Sequence, residues 1–244
     1  MPKSAGLIWG KGDAMLFAAH NVAGGYGAIH IVKNVSFELD AGETLAVLGR
    51  NGMGKTTLLR TLVGLADRFA GEIQVDACPL PPRQPRALAR LGITYVPDDR
   101  GVFARLTVAE NIRLARLAAY APSELDVYAL FPDLKRPALQ PAGTLSGGQQ
   151  QQLAIARALA TSPRLLIVDE LSQGLQPSIV EDLAQALIEV RQRSRLALIL
   201  VDQNPKLAMR ICDKVIVMQR GEVVAAGPSA TLGSDERFMD LLIV

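Results

Sequence analysis

The sequence predicts an α/β chain organised around a phosphate-cradling loop, and three observations carry that prediction. An apolar run, Thr44 to Leu48, is followed by Gly49-Arg50-Asn51-Gly52-Met53-Gly54-Lys55-Thr56-Thr57. Leu58, Leu59, Leu62, Val63 and Leu65 then recur at helical spacing, so the order is strand, glycine-rich loop, helix. A second apolar run, Leu165 to Val168, ends in the acidic pair Asp169-Glu170. Between the two lies a helical stretch with no strong strand pattern, like an insertion into an otherwise alternating α/β order.

Taken in order, residues 1–14 show no periodicity and carry Gly6, Gly10 and Gly12, which predicts a mobile extension. Leu16–Val22 and Ile29–Leu39 read as strands, the second with Val35, Phe37 and Leu39 alternating against Ser36 and Glu38. Gly24-Gly25-Tyr26-Gly27 between them reads as a loop, with Tyr26 either a simple cap or an aromatic face for a nucleotide base. Asp40 to Glu43 is a turn. After the loop helix come a short strand, Gly71–Val75, a proline-rich connection from Pro79 to Arg86, and a strand, Ile93–Val96. Pro97 to Phe103 is polar and turn-rich. Thr107 and Glu110 form a capping-box pattern for a helix running to about Tyr120, and Ser123 to Phe131 predicts a shorter helix.

Leu145-Ser146-Gly147-Gly148-Gln149 opens the next helix, with Ser146 at the N-cap position. Alone, it reads either as a capped helix or as a second anion-binding cup. Ser178 and Glu181 suggest another capping box, for a helix burying Ile179, Leu183, Leu187 and Val190. Ala197–Val201 is a strand ending at Asp202-Gln203-Asn204, and Pro205 starts a helix through Met209. Val215–Met218 and Glu222–Ala226 flank a hairpin turn at Gln219-Arg220-Gly221. Asp235 to Val244 predicts a terminal helix.

Bulk properties narrow the function. The 244 residues fit one large domain with room for a sizeable core. No run of about 18 apolar residues occurs and the start lacks a signal-peptide pattern, so neither a membrane span nor export is expected. A net charge of +2 gives no electrostatic case for nucleic acid. Cys78 and Cys212 lie far apart with no histidine-rich company, which fits a reduced cytosolic protein and not a zinc site.

The residue types at the two strand ends explain the chemistry. Glycines let the loop backbone curl so that successive N–H groups face one anion, and the helix N-terminus adds its dipole. Lys55 reaches toward the terminal phosphates of a nucleoside triphosphate, and the Thr56 hydroxyl is placed to hold Mg²⁺. At the carboxyl end of a parallel strand, Asp169 can hold Mg²⁺, largely through water, while Glu170 orients an attacking water.

The loop, the Leu145–Gln149 segment and the Leu165–Glu170 strand occur in the order found in the ATP-binding-cassette (ABC) ATPases, and the chain resembles that family from about Leu16 onward. Leu145-Ser146-Gly147-Gly148-Gln149 matches the family's signature motif. The resemblance implies a P-loop NTPase core with a mixed or parallel sheet, an N-terminal antiparallel β subdomain, and a helical subdomain inserted over about 87–160 within a 15–244 nucleotide-binding domain. It implies ATP and Mg²⁺ as cofactors, held by Gly49 to Thr57, with Tyr26 stacking on adenine. It also implies a head-to-tail pair in which Ser146, Gly147, Gly148 and Gln149 of one chain contact the γ-phosphate bound by the other. The partners implied are a second ABC ATPase, identical or different, transmembrane permease subunits and, indirectly, a solute-binding protein. The place implied is the cytoplasmic face of the membrane.

Within the family, the resemblance is nearest to ATPases of branched-chain amino acid importers, with urea and short-amide importers close behind. It is carried by Gly49–Leu59, Tyr95-Val96-Pro97 with Arg100, Val102-Phe103, Leu106-Thr107-Val108 with Glu110-Asn111, and Val201 with Gln203-Asn204. A soluble ABC ATPase without a membrane partner is the other class, but no coiled-coil insertion, second cassette or basic surface points to it. Four positions depart from the wider family. Asp98 stands in place of glutamine, in the loop that senses Mg²⁺. Gln203 replaces the switch histidine, Gln176 an aspartate and Leu171 a proline. Asp98 and Gln203 fit the branched-chain subgroup. Gln203 and Gln176 predict that this chain's own ATP site turns over more slowly than its partner's.

Overall fold

The computed structural model describes residues 15–121 and 123–232; the predicted extension 1–14 and terminal helix 235–244 lie outside them. In chain order the strands are β1 (Met15–Tyr26), β2 (Ile29–Asp40), β3 (Thr44–Leu48), β4 (Asp67–Val75), β5 (Cys78–Pro79), β6 (Ile93–Val96), β7 (Leu165–Asp169), β8 (Ala197–Val201), β9 (Lys214–Gln219) and β10 (Glu222–Pro228). The helices are α1 (Lys55–Leu62), α2 (Pro85–Arg90), α3 (Val108–Leu117), α4 (Val127–Leu130), α5 (Gly147–Leu159), α6 (Pro177–Ser194), α7 (Pro205–Ile211) and α8 (Ser229–Leu232).

The strands form two sheets. A four-stranded antiparallel sheet has the order β2-β1-β4-β5, and a six-stranded sheet has the order β10-β9-β3-β8-β7-β6. In the larger sheet only β10 runs antiparallel, to β9. The mixed sheet and the N-terminal antiparallel sheet are therefore present as expected. All residues of β3, β7 and β8 are buried, which is why these segments read as unbroken apolar runs. Side-chain alternation divides them between two cores. Leu45, Val47, Leu165, Ile167, Ile199 and Val201 pack toward β1, β2 and α1, whereas Ala46, Leu48, Leu166, Val168, Leu198 and Leu200 pack toward α5, α6 and α7. Because β3, β6, β7 and β8 are parallel, their carboxyl ends share one edge of the sheet.

Several boundaries differ from the sequence reading. Gly24 to Tyr26 is not a loop: β1 continues through it, pairing with β2 and, up to Gly25, with β4, with β-bulges absorbing the irregular register. The proline-rich connection ends in the first residues of α2, which starts on Pro85 at its first turn and runs on to Arg90. β6 lies within 87–160 yet belongs to the main sheet, so the helical run begins after it. α3 has the expected capping box but ends at Leu117. The Ser123–Phe131 helix shrinks to α4, because the Asp126 side chain caps it and Pro132 starts a separate 3-10 turn. No capping box forms at Ser178: α6 starts on Pro177, and Glu181 pairs with Arg210 instead.

Candidate nucleotide site

The glycine loop sits between β3 and α1. Gly54 precedes α1 at φ 97°, and the helix has no side-chain cap, so its first amides are left for a ligand. Gly49 (φ 145°) cannot be replaced by a larger residue, since an added Cβ would lie 2.5 Å from the Met218 carbonyl oxygen. The β9–β10 turn supports the loop from below, with Gly221 N donating to Met53 O (3.0 Å) and Arg220 N to Met53 Sδ (3.4 Å). Arg50, Asn51 and Gly52 are exposed, while Met53 and Thr56 are half-buried and Gly54, Lys55 and Thr57 are buried. The Lys55 ammonium curls back onto the loop, donating to Gly49 O (2.7 Å) and Arg50 O (3.0 Å). Burial lowers its pKa, against the charges of Glu170, Asp169 and Asp202.

Asp169, fully buried at the end of β7, faces this loop. It accepts from Thr56 Oγ1 at Oδ1 (3.1 Å) and from the Tyr95 hydroxyl at Oδ2 (3.2 Å). Burial pushes its carboxyl up to about 6; Asp98 and Glu170 add to the rise, and the Thr56 and Tyr95 bonds oppose it. Burial, then the charge of Asp169, raises the Tyr95 hydroxyl, so this group remains a donor. A hydroxyl beside a carboxylate is an oxygen donor set suited to Mg²⁺, which takes few protein ligands and fills the rest from phosphates and water. Among the described residues no group of three His, Cys, Asp or Glu side chains could hold a metal ion unaided.

Glu170 follows at φ 59°, a left-handed conformation that non-glycine residues hold only where surroundings fix it. Its amide donates to Val201 O (2.9 Å), and Gln203 Nε2 donates to both carboxylate oxygens, at 3.1 and 2.9 Å. Asp202 anchors the segment. It is buried and accepts from Ser172 N (2.9 Å), Ser172 Oγ (2.7 Å) and Asn204 N (2.8 Å), tying the turns after β7 and β8 together. Leu171, in place of proline, is fully buried, and Gln176 is exposed and makes no cap bond for α6.

Asp98, after β6, is exposed and accepts from Arg60 Nη2 on α1 (3.2 Å). Hydrogen bonding to Tyr26 first, and then to Tyr95, holds Arg60 above its ordinary value. Tyr26 itself is 39% exposed at the end of β1. The Ser146–Gln149 cup lies at the start of α5. Gln149 N donates to Ser146 Oγ (3.3 Å) and Ser146 N to Gln149 Oε1 (3.2 Å), a capping box. Thus Lys55, Thr56, Asp169, Glu170 and Gln203 meet at one sheet edge, Asp98 and Tyr26 connect to it through Arg60, and the cup faces solvent elsewhere on the chain.

Sequence reading missed three members of this arrangement. Asp202 could have been found, since it follows an apolar strand at the sheet edge that carries the candidate site. Tyr95 and Arg60 gave no local signal, because their partners are distant in sequence.

The ABC transporter family model matches residues 32–173. The high-affinity branched-chain amino acid transport ATP-binding protein BraG of Pseudomonas aeruginosa is 37% identical over 219 residues, covering 88% of this chain and 94% of BraG. The lipopolysaccharide export system ATP-binding protein LptB of Escherichia coli K12 is 30% identical over 224 residues, covering 89% of this chain and 92% of LptB. Among solved structures, a dimeric ATP-binding cassette in a post-hydrolysis state, bound to ADP and Pi, superposes with a TM-score of 0.79 at 24% identity, covering 88% of this chain and 99% of that one.

Proposed function

This chain belongs to the ABC transporter family of ATPases as an ATP-binding subunit, and from that premise we propose that it powers import of branched-chain or other hydrophobic amino acids. The observation that carries the ATPase reading is the meeting of the glycine loop, the Thr56–Asp169 pair and the Glu170–Gln203 pair at one sheet edge. MgATP supplies the transferable γ-phosphoryl group. Gly49 to Gly54 and the first amides of α1 bind the phosphates, Lys55 offsets their charge, and Thr56 and Asp169 hold Mg²⁺, with Asp98 nearby as a sensor of it. Tyr26 stacks on the base. Glu170 orients the attacking water and takes its proton, and Gln203 holds the Glu170 carboxylate in place. Gln203 can donate a hydrogen bond but carries no charge, so this site is the slower one of a pair. The Ser146, Gly147, Gly148 and Gln149 cup completes the site of a second ATPase subunit, identical or different.

The chain works on the cytoplasmic face of a membrane, docked on permease subunits and served by a solute-binding protein. Among the described residues no helix is long and apolar enough to cross a membrane. The docking surface is the open groove of about 270 Å³ lined by Pro97, Phe103, Leu114 and Ala118, with Leu117 and Tyr120 exposed beside it. The higher identity to BraG than to LptB favours amino acid import over lipid export, and urea or short-amide import is the nearest alternative. Purification of the tagged chain from detergent-solubilised membranes should bring down a permease pair and a solute-binding protein, and labelled leucine uptake should stop in Glu170→Gln. Recovery of lipid-export partners would overturn the import reading. To test asymmetry, Glu170 and its counterpart in the partner are mutated separately in the assembled transporter; equal losses of ATP turnover would sink that part.

A further inference from the structure

Tyr26 closes β1, and the two-residue turn Gly27-Ala28 carries the chain into β2, where Ile29 pairs back with Tyr26. The tip of this turn is held by residues distant in sequence. Gly27 N donates to Asp67 Oδ2 (3.1 Å), on the first residue of β4, and the other Asp67 oxygen accepts from the Arg83 guanidinium. Arg83 first, and then the Gly27 amide, hold the Asp67 carboxyl below its ordinary value. Both members of this tie start from the end of α1. The Leu65 and Ala66 amides return to Arg60 O (2.7 and 3.0 Å), so Asp67 follows directly from a turn fixed to that helix. Arg83 seats on the same turn: a Cβ on Gly64 would lie 3.3 Å from Arg83 Cα. Arg60 itself reaches the Tyr26 hydroxyl. Behind the turn, His30, opposite Gly25, stacks on Phe69 of β4 with ring centres 4.1 Å apart, across β1, whose Gly25 carries no side chain there. The Arg83 side chain is 72% exposed, and an exposed ion pair contributes little to stability, so the consequence of the tie is geometric.

We propose that Asp67, braced by Arg83, is a positioning residue for Tyr26 and fixes the span between the base-stacking ring and the phosphate loop. This rests on the reading of Tyr26 as the ring that stacks on the base. A nucleoside triphosphate held at the glycine loop presents its base at a distance set by its phosphates and ribose, and stacking requires the ring to meet the base face at contact distance. A two-residue turn with Gly27 at φ 57° can tilt unless its tip is tied. The glycine loop runs into the start of α1, and Asp67 and Arg83 both spring from its end, so one helix gauges both grips on the ligand. Asp67 therefore acts on the base part of the affinity and not on the phosphate part.

The test is competition of MgATP, and of magnesium tripolyphosphate, which has no base, against a fluorescent ATP analogue on the full chain. Asp67→Ala should weaken MgATP by about fivefold, within the range of one base–aromatic stack, and leave tripolyphosphate within about 1.5-fold. Arg83→Ala, a change at an exposed residue, should weaken MgATP in the same selective way by about twofold. Asp67→Asn, which keeps an oxygen for the Gly27 amide, should lose less than Asp67→Ala. In a Tyr26→Ala chain, adding Asp67→Ala should weaken MgATP no further, since the two act as a unit. Equal losses for the two ligands, no loss for either, or a full further loss in the Tyr26→Ala chain overturns the proposal. A Tyr26→Ala chain that binds MgATP as tightly as the unmutated one removes the base-stacking reading itself, and this inference with it.

Discussion

Asp169→Asn should change how stability depends on pH, in a direction that burial dictates. The carboxyl is raised from 3.8 to about 6, mainly by desolvation. Between about pH 4 and pH 6 the folded protein therefore holds a proton that the unfolded chain releases, and stability falls as pH rises through this window. A rise of about two pH units corresponds to a loss of up to about 3 kcal/mol, fully developed by about pH 7. Asparagine stays neutral and avoids this loss. The assay is urea unfolding of both proteins in EDTA at half-unit pH steps from about 4 to about 7.5, and the difference between the two isolates Asp169, because every other titrating group is shared. The variant's advantage should grow across the window and then level off. A difference that is flat with pH, or that grows as pH falls, would refute the claim that desolvation dominates at Asp169.

Glu170→Gln should leave ATP binding intact and slow steady-state hydrolysis by at least about a hundredfold, as expected for loss of one catalytic group; wild-type turnover in that variant would remove Glu170 from its assigned role. Gln203→Leu deletes both hydrogen bonds to Glu170 and should lower kcat by about tenfold with KM for ATP little changed. A loss as deep as that of Glu170→Gln would mean that Gln203 acts on the reacting atoms directly. Asn111, fully buried, donates to Phe103 O, Leu106 O and Thr107 O and accepts from Phe103 N. Asn111→Ala should cost about 1–3 kcal/mol in urea unfolding, since it strands the Phe103 amide and takes the second hydrogen bond from three carbonyls that keep a backbone partner each; a shift below about 0.5 kcal/mol would show that water replaces the side chain.

Legibility in the sequence followed the range of the forces. β3, β7 and β8 were readable because burial on both faces demands continuous apolar runs, and the loop because close approach at Gly49 admits no side chain. Where local patterns compete, the sequence misleads. Ser178 and Glu181 have capping-box spacing, but Pro177 already fixes the start of α6 and Arg210 captures Glu181 through a contact 29 residues away. Gly24 to Tyr26 has loop composition, yet two neighbouring strands hold it in register with bulges. Of the candidate site, the residues proposed to face the ligand were legible and their supports were not. Arg60 with Asp98, Arg100 with Gln150 and Tyr95 with Asp169 are all long-range pairs that no window of sequence displays.

At the start of α5 the capped helix that the sequence offered is present, and its geometry leaves room for the anion cup proposed above. In the capping box Ser146 Oγ accepts from Gln149 N, and the Gln149 side chain accepts from Ser146 N. A hydroxyl has a donor as well as acceptors, so the Ser146 proton is not consumed by this arrangement. The first amides of a helix have no intrahelical partners, and at α5 these include Gly147 and Gly148, whose missing side chains leave the approach open. Replacing either glycine is restricted from behind, by Arg100 at Gly147 and by Ile179, 3.1 Å from a Cβ on Gly148. The cap therefore uses the Ser146 and Gln149 amides and leaves those of Gly147 and Gly148, with the Ser146 hydroxyl proton, for the proposed anion. An exposed cup of this kind gains a counter-charge only when another molecule supplies one, whereas the loop at Gly49 to Thr57 carries its own carboxylates and lysine. That difference supports the proposal that the two half-sites of one chain serve different nucleotides.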